Sequence, residues 1–344
     1  MANGTTADSA EESAEPGGTT NAANGFRARA AAAWYATPIG RWWDERQINA
    51  RVHAWWEGYE FQPSAPKAKP AAKSSKGEPS LAPTVRGWPV PRLEVVQALF
   101  GEGMLSPAQP EQLVKIINPL GLNEKMTVIE VGAGLGGLAR VVAAETGAYV
   151  TAFESDPLLA KLGMELSTKH GVARKAVIKQ AAATAFDARP KSVDAVLAKE
   201  SLFTIEDKPT LFAAIRKALK PGGQFMLSDY MLAGDSQGPA TAAWSADEPV
   251  APHLMPIAKT RAALEGLGLQ VRVVEDVTAE FRSAALAAFA TLADRIKSGE
   301  ISEGMRPWAL CEGDLWSRRL TLLASGEVKM IRLYARLPAV KELT

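Results

Sequence analysis

The chain has 344 residues, nearly half of them apolar, and a formal net charge of +1. This composition supports a large packed core, and it excludes a global field that would favour nucleic acid or an acidic substrate. The single cysteine, Cys311, excludes an internal disulfide, and three scattered histidines give no reason to expect a metal site. No apolar run reaches the roughly 18 residues of a membrane span and no secretory signal is visible, which favours a cytoplasmic protein.

The two ends of the N-terminal region have compositions that do not support a packed core. Residues 1–25 are small, polar and acidic without periodicity, which predicts a disordered tail. Residues 62–87 are rich in proline and lysine and poor in large apolar groups, which predicts a flexible linker.

Residues 26–61, between these two segments, are rich in tryptophan and predict an amphipathic helical segment. One face of the helix carries Ile48, Val52, Trp55 and Tyr59. Tryptophan and arginine favour interfaces, so contact with a membrane surface or a partner protein through residues 34–61 is one interpretation. Docking of the helix on the folded domain of the same chain is the other interpretation, and both stay open at this point.

From Trp88 onward, apolar strands alternate with helical segments. Strands are predicted, in chain order, at MTVIEVG, AYVTAFES, AVIKQ, SVDAVLAK, QFMLSDYM, VRVVED and VKMIRLYARL. Helices are predicted at LEVVQALF, EQLVKIINPLGL, LARVVAAETG, PLLAKLGMELSTKHG and KPTLFAAIRKALK, in a segment ending at GLGLQ, and from about residue 278 to 322. This alternation predicts one α/β domain over residues 88–344, with a doubly wound, Rossmann-like parallel sheet covered on both faces.

The first predicted strand runs into a glycine-rich turn, EVGAGLGG, whose letters fit two cofactors. Gly132, Gly134 and Gly137 spell the dinucleotide pattern G-x-G-x-x-G, whereas Glu130 followed by Gly132, Gly134 and Gly136 spells E-x-G-x-G-x-G. A dinucleotide would place a pyrophosphate here, beside which a carboxylate is unfavourable. S-Adenosylmethionine would instead present a cationic sulfonium and an ammonium group. Glu130 therefore favours S-adenosylmethionine.

A second acid follows at the end of the second predicted strand. In AFESD, Glu154 is placed to accept hydrogen bonds from both ribose hydroxyls, although NAD enzymes use an acid at this position too. The residues expected to contact the cofactor through these two motifs are Glu130, Gly132, Ala133, Gly134, Gly136, Glu154 and Ser155.

With these motifs the chain resembles the class I S-adenosylmethionine-dependent methyltransferases. The resemblance runs from about residue 95 to the end and is carried by EVGAGLGG, AFESD, SVDAVLAKESLFTIEDKPTLFAAIRKALKPGGQFMLSDY, VRVVEDV and VKMIRLYARL. The phrase KALKPGG before the fifth strand is typical of the family. The resemblance implies S-adenosyl-L-methionine as the cofactor and a seven-stranded sheet whose last strand is inserted antiparallel.

Within this class, KESLFTIEDKPTLF and LKPGGQFMLSDY are most similar to the phosphoethanolamine N-methyltransferases and related small-amine enzymes. On that pattern Lys199 falls on a basic position that contacts the cofactor, Glu200 on an acidic position after strand 4, and Tyr230 on a tyrosine after strand 5. Two positions depart from the pattern. Thr204 stands where the family has a histidine, and Ala182 where an aspartate usually reads the adenine amino group.

Methyl transfer requires the acceptor atom, the methyl carbon and the sulfur to be aligned, and an acceptor that carries a proton also needs a base. Glu200 is the first candidate to orient or deprotonate the acceptor, and Tyr230 is the second. Residues 231–257 are rich in Gly, Pro and Ala and predict a lid over the acceptor site, in which His253 could replace the missing histidine. Residues 101–105, GEGML, are a candidate to close over the cofactor from the other side.

Three functions are compatible with these observations. The favoured one is a methyltransferase that acts on nitrogen or oxygen of a small molecule or lipid precursor, with an amine slightly favoured, in the cytoplasm or peripherally at a membrane. A non-catalytic binding or scaffold protein on the same fold is the alternative that Thr204 and Ala182 favour. An NAD-dependent oxidoreductase fits the glycines but leaves Glu130 unexplained. No nucleic-acid partner is expected, since no basic patch with interleaved aromatic residues is visible.

Overall fold

The computed structural model of the chain describes residues 87–186, 188–299 and 302–339. The predicted tail 1–25, the tryptophan-rich segment 26–61 and all but the last residue of the linker 62–87 lie outside these described residues. Their predicted organisation therefore stays a prediction.

The described residues contain seven strands in one sheet. These are β1 (Thr127–Val131), β2 (Tyr149–Glu154), β3 (Ala176–Gln180), β4 (Val193–Lys199), β5 (Leu219–Leu232), β6 (Gln270–Asp276) and β7 (Val328–Arg336). The helices in the same ranges are α1 (Val90–Phe100), α2 (Pro110–Ile117), α3 (Gly137–Thr146), α4 (Pro157–Lys169), α5 (Lys208–Ala218), α6 (Pro239–Asp247), α7 (Ile257–Gly266), α8 (Thr278–Lys297) and α9 (Arg306–Ser325). Short 3-10 turns lie at Asn118–Leu120, Ala183–Ala185, Leu202–Thr204 and Glu303–Met305.

The strands are arranged in the order β3-β2-β1-β4-β5-β7-β6. β1 to β5 pair in parallel, and β7 lies between β5 and β6 and runs antiparallel to both. Parallel neighbours need long crossover connections, which the helices supply. The predicted doubly wound Rossmann-like sheet with an antiparallel last strand is confirmed.

Two apolar cores lie on the two faces of this sheet. Side chains alternate along a strand, so Ile129 and Val131 of β1 face one core, which α5 and α7 cover. Val128 faces the other core, which α2 and α3 cover. Glu130 is on the same face as Val128, so its carboxyl group lies on an apolar face of the sheet at the end of β1.

β5 begins earlier than its sequence predicts. The predicted helix continues through KALK, but α5 ends at Ala218 and the strand begins at Leu219. Pro221 explains the difference, because proline disfavours the helical conformation of the residue before it and cannot donate to the helix ladder. The register then shifts between the pairs Val193–Leu219 and Ala195–Gln224, so the Lys-Pro-Gly-Gly segment forms an irregularity in the strand.

Aromatic contacts between α1, α8, α9 and β5 connect these helices to the carboxyl end of the sheet. The ring centroids of Phe100 and Trp316 are 5.0 Å apart, and those of Phe281 and Trp316 are 6.0 Å apart. Phe281 also contacts Tyr230 of β5 edge-on, at 5.8 Å. The helices therefore cover the edge of the sheet where open α/β folds bind their ligands.

No helix in the described ranges has both the length and the apolar character that crossing a membrane requires.

Candidate functional site

A cavity of about 410 Å³ lies at the carboxyl ends of the parallel strands. Its walls come from the glycine turn after β1, the segment before α2, the residues after β2 and β4, the end of β5, the region after α6, and α9. Sequence-predicted site residues in these walls are Glu130, Gly132, Ala133, Gly134, Glu154, Ser155, Lys199, Glu200 and Tyr230.

The glycine turn has a backbone conformation that other residues rarely adopt. Gly132, Gly134 and Gly136 have φ values of 71°, 55° and 76°. The N–H groups of Gly132 and Ala133 donate to the Phe153 carbonyl at 2.9 and 3.0 Å, which joins the turn to the end of β2. The turn therefore presents its backbone to the cavity in a fixed position.

The segment 101–105 contacts this turn, and its predicted closure over a cofactor stays a prediction. A Cβ at Gly134 would lie 2.7 Å from Cδ1 of Leu105, and one at Gly137 would lie 2.3 Å from Sδ of Met104. The glycines thus allow segment 101–105 to approach closely.

Arg140 of α3 holds segment 101–105 and the turn together. Its guanidinium donates to the Leu135 carbonyl at 2.6 Å and to the Gly103 carbonyl at 3.4 Å. Leu135 belongs to the glycine turn and Gly103 to segment 101–105, so one buried side chain links the two.

Glu130 is buried, with 3% of its surface exposed, and it lines the cavity. Burial raises the pKa of its carboxyl group to about 8, against the opposing influence of Arg140 and Lys199. Within the described chain its Oε2 has no hydrogen-bond partner. Buried polar atoms are normally paired, so an unpaired carboxyl oxygen at a cavity indicates a ligand that carries a donor. A methionyl ammonium fits this requirement.

Glu154 supports the glycine turn, a role that its sequence position did not predict. Its Oε2 accepts a hydrogen bond from the Gly134 N–H at 2.8 Å, and its Oε1 accepts from the Asp156 N–H at 2.9 Å and from Ser155 Oγ at 3.2 Å. A carboxylate oxygen can accept more than one hydrogen bond, so capacity remains for hydroxyl groups of a ligand. The acid therefore supports the glycine turn while it lines the cavity.

The predicted adenine position lies beside the cavity wall. Ala182 is exposed and precedes the 3-10 turn Ala183–Ala185. Ala183, the next residue, lines the cavity. Sequence reasoning placed the contact at Ala182, one residue before the alanine that the fold brings to the wall.

Lys199 and Glu200 follow β4 directly and form an ion pair. Lys199 Nζ lies 2.5 Å from Glu200 Oε1 and donates to Ser106 Oγ at 2.9 Å. Glu200 has a φ of 51°, which is unusual for a residue with a side chain, and its N–H donates to the Ser228 carbonyl at 2.7 Å. Its buried Oε2 has no partner in the described part of the chain. Glu200 can therefore accept a proton or a hydrogen bond from a ligand.

Asp229 fixes the turn that follows Glu200. Its Oδ2 accepts hydrogen bonds from three successive backbone N–H groups, those of Ser201, Leu202 and Phe203, at 3.1, 2.6 and 3.2 Å. The strained conformation of Glu200 is thus held from both sides, and Asp229 is not among the described residues that line the cavity.

Tyr230 lies in an aromatic wall. Its ring centroid is 5.1 Å from that of Phe203 and 6.3 Å from that of Trp244. Burial raises the pKa of its hydroxyl well above the usual value, so the group is a neutral phenol and a donor. Its hydroxyl has no hydrogen-bond partner among the described residues. Tyr230 is therefore suited to orient an acceptor, whereas Glu200 is the group suited to take a proton.

Thr204 lines the cavity, whereas His253 is not among the described residues of its wall. The Thr204 hydroxyl donates to the Ser201 carbonyl at 3.2 Å. His253 donates from its backbone N–H to the Phe203 carbonyl at 2.6 Å, and its own carbonyl accepts from Lys208 Nζ. The predicted lid reaches the cavity through Glu248, Pro249 and Val250 instead.

Two buried Arg–Glu pairs in the cavity wall escaped the sequence analysis. Arg319 of α9 binds Glu248 with two hydrogen bonds of 2.8 Å, and Arg92 of α1 lies 2.5 Å from Glu312 of α9. Burial alone would lower the pKa of Arg319, but the Glu248 carboxylate outweighs it and the net shift is upward. Trp316 lies between these pairs in the chain, and its Nε1 has no partner in the described ranges. The residues of each pair are more than 70 positions apart, so sequence spacing gives no sign of them.

Comparisons with known proteins agree with this geometry. Residues 107–274 match the family model of a methyltransferase domain. A phosphoethanolamine N-methyltransferase of Triticum aestivum is 27% identical over 136 residues, which are 39% of this chain and 26% of that protein. Phosphoethanolamine N-methyltransferase 2 of Caenorhabditis elegans is 30% identical over 140 residues, which are 40% and 32% of the two chains. The chain thus spans less than a third of the length of these curated relatives.

The fold is shared with a solved phosphoethanolamine N-methyltransferase 2 of Haemonchus contortus, in complex with phosphomonomethylethanolamine and S-adenosylhomocysteine. The TM-score is 0.62 at 19% identity, and the match covers 72% of this chain and 57% of that chain. The sheet order, the glycine turn with its two acids and the matched methyltransferase domain agree with one another. Residues 107–274 thus belong to the methyltransferase domain family, and the chain is similar in sheet order and cofactor turn to the class I S-adenosylmethionine-dependent methyltransferases.

Proposed function

We propose that this protein transfers the methyl group of S-adenosylmethionine to a nitrogen or oxygen of a small molecule or lipid precursor, with an amine favoured. The observation that carries the proposal is the buried, unpaired carboxyl oxygen of Glu130 beside the glycine turn. A dinucleotide pyrophosphate would meet this carboxyl group with like charge, whereas an ammonium group would satisfy it.

The residues present fit S-adenosylmethionine. Glu130 would accept from the methionyl ammonium, Glu154 from the ribose hydroxyls, and the turn from Gly132 to Gly134 would provide close backbone contact. Lys199 and Ser155 lie in the same walls and would complete the cofactor end of the cavity. When bound, the cofactor supplies an electrophilic methyl carbon on a positively charged sulfur.

The acceptor end of the cavity carries the groups that this chemistry needs. A protonated amine must lose a proton before it can attack, and the methylated ammonium product of a primary or secondary amine loses another. The unpaired Oε2 of Glu200 can accept such a proton. The Tyr230 hydroxyl can donate a hydrogen bond that fixes the acceptor, and the rings around it exclude water. An amine acceptor is favoured by the similarity to the phosphoethanolamine N-methyltransferases.

A transfer assay with methyl-labelled S-adenosylmethionine tests the proposal. Purified full-length protein is incubated with labelled cofactor and a panel of amines and alcohols, and label in the acceptors is counted. We expect label to enter at least one amine. Binding of the cofactor without transfer to any amine or alcohol would instead support the alternative, a non-catalytic binding protein on this fold.

A further inference from the structure

We infer that the acceptor is an amine that carries no phosphate or carboxylate group, held by an aromatic wall and by uncharged hydrogen-bond donors. The inference rests on the proposed function and names its substrate class. It concerns the end of the cavity formed by Phe203, Glu200, Tyr230, Trp316 and Arg319.

Every cationic side chain in the described cavity wall is already paired with a carboxylate of the same wall. Three cations line the cavity: Arg92, Lys199 and Arg319. Their partners are Glu312 at 2.5 Å, Glu200 at 2.5 Å and Glu248 at 2.8 Å. Cationic side chains are the strongest donors to a phosphate group, and the described wall offers none that a glutamate does not already occupy.

Displacing one of these glutamates would be costly because they are buried. The side chains of Glu248 and Glu312 are each 2% exposed. Arg319 binds Glu248 through both Nε and Nη2, and the Trp244 indole donates to the same carboxylate at 2.7 Å. A phosphate that took Arg319 would leave a buried carboxylate beside a dianion, and both charges would be disfavoured.

The charge of the lining also opposes an anionic acceptor. Besides the three paired glutamates, the wall contains Glu130, Glu154 and Asp156. The described lining thus has six acidic side chains against three basic ones. Three of these acids are paired and burial raises the pKa of Glu130 to about 8, so Glu154 and Asp156 give the described lining its net negative charge. This charge favours a cation, such as a protonated amine, over a phosphate or carboxylate.

The unpaired polar atoms of the wall indicate which hydrogen-bonding groups the acceptor carries besides its amine. Glu200 Oε2 can accept a hydrogen bond from the ligand, whereas Tyr230 Oη and Trp316 Nε1 can each donate one to a neutral oxygen of the ligand. Arg319 lies over the Trp316 ring at 5.1 Å, so the rings of Phe203 and Tyr230 are left as apolar surface. These features fit an amine with an apolar or aromatic body.

Titration calorimetry with the full-length protein loaded with S-adenosylhomocysteine tests the inference without requiring turnover. The probes are tyramine and phosphoethanolamine. Tyramine is a primary alkyl amine that carries a neutral phenol ring. We expect saturable binding of tyramine and no detectable binding of phosphoethanolamine. The variant Glu248→Gln frees Arg319 and should make phosphoethanolamine binding detectable, at least about tenfold tighter than the detection limit that applies to the wild type, the effect of one added charge-assisted contact.

Glu265→Gln is the matched control, since Glu265 pairs with Arg261 on the exposed face of α7 and should change neither affinity. Tighter binding of phosphoethanolamine than of tyramine to the wild type would overturn the inference. Absence of saturable tyramine binding, or an unchanged phosphoethanolamine affinity in a Glu248→Gln variant that still binds S-adenosylhomocysteine, would also overturn it. Failure of S-adenosylhomocysteine itself to bind the wild type would overturn the proposed function first.

Discussion

Four buried polar atoms that line the cavity have no hydrogen-bond partner within the described chain: Glu130 Oε2, Glu200 Oε2, Tyr230 Oη and Trp316 Nε1. Each such atom costs about 1–3 kcal/mol if it stays unpaired. Unpaired atoms at the wall of a cavity indicate positions where a bound ligand could supply the missing partner. Glu130 lies at the glycine turn, which we assign to the cofactor end of the cavity. The other three atoms belong to the proposed acceptor end.

The raised pKa of Glu130 predicts how stability and cofactor affinity change with pH. The folded state keeps a proton that the unfolded chain releases, so the contribution is complete below about pH 4.5 and is lost as the pH rises through the folded pKa of about 8. As the pH rises from about 5 to about 8, the Tm of the ligand-free wild type should therefore fall more than the Tm of Glu130→Gln.

Cofactor affinity should change with pH in the opposite direction to stability. The ammonium group of the cofactor requires Glu130 as an ionised carboxylate, and ionisation increases as the pH rises. Calorimetry should show wild-type affinity for S-adenosylmethionine rising toward about pH 8, where Glu130→Gln should bind roughly ten- to hundredfold more weakly. Glu145→Gln, on the exposed face of α3, is the control and should follow the wild type. Parallel pH profiles for wild type and Glu130→Gln would contradict this assignment.

Replacing Glu200 should separate binding from chemistry. Glu200→Gln keeps the size of the side chain but cannot accept a proton, so transfer to an amine should fall by about 10²- to 10⁴-fold with little change in cofactor affinity. Label transfer and calorimetry on the same sample measure the two quantities. The control is Glu206→Gln, six residues further along and exposed. Turnover that Glu200→Gln leaves at the wild-type level would remove this residue from the mechanism.

The glycine turn is the part of the cavity wall that sequence predicts well, because its residues are contiguous. Gly132 and Gly134 need a positive φ and Glu130 precedes them at a fixed spacing, so one short motif specifies all three. Arg319 and Glu248 could not be found in this way. They come from different elements, and only the folded chain brings them together.

At the scale of secondary-structure elements, α9 organises the acceptor end of the cavity. It carries Glu312, Trp316 and Arg319 along one face, and these side chains contact α1, α8 and the region after α6. The helix has apolar and polar residues mixed on its buried side, so its sequence pattern indicates a buried helix without indicating the ion pairs. Pro221 has a comparable effect, because it ends α5 before the predicted helix pattern ends.

The pair Arg92–Glu312 joins α1 to α9 and should behave as a buried ion pair. Replacing Arg92 by Met leaves the Glu312 carboxylate buried and unpaired, and should lower the free energy of unfolding by about 3–5 kcal/mol. Combining Arg92→Met with Glu312→Leu should recover most of that loss, since no lone charge remains. Denaturant unfolding of the single and double variants gives the coupling energy.

The exposed pair Lys161–Glu165, at 3.9 Å on α4, provides the control. The same double-variant cycle there should give a coupling of about 0.5 kcal/mol or less. Equal coupling in the two pairs would show that Arg92 and Glu312 do not join the helices.

At the scale of the whole molecule, the tryptophan-rich segment 26–61 is the part of the chain whose role the cavity does not explain. We propose that it contacts a membrane surface, which would suit a lipid-precursor acceptor. Full-length protein should then float with anionic liposomes, and Trp55→Ser should reduce the floating fraction because Trp55 belongs to the predicted apolar face. Ser substitution of Trp88, which lies in the described domain and packs beside Arg92, is the control. A full-length protein that stays in solution would contradict the membrane contact.

The fold of the whole domain was predictable because hydrophobic periodicity and short motifs both identify alternating strands and helices. The parallel strands β1 to β5 follow from periodicity, whereas the antiparallel insertion of β7 required the family resemblance, since VKMIRLYARL has no local feature that sets its direction. The ligand that the cavity binds decides between the proposed function and its alternatives.

Calorimetric titration of the full-length protein with S-adenosylmethionine, and separately with NADH, tests that point most directly. We expect saturable binding of S-adenosylmethionine at about pH 8, where about half of the Glu130 carboxyl groups are ionised in the free protein, and no binding of NADH. Binding of NADH with none of S-adenosylmethionine would contradict it.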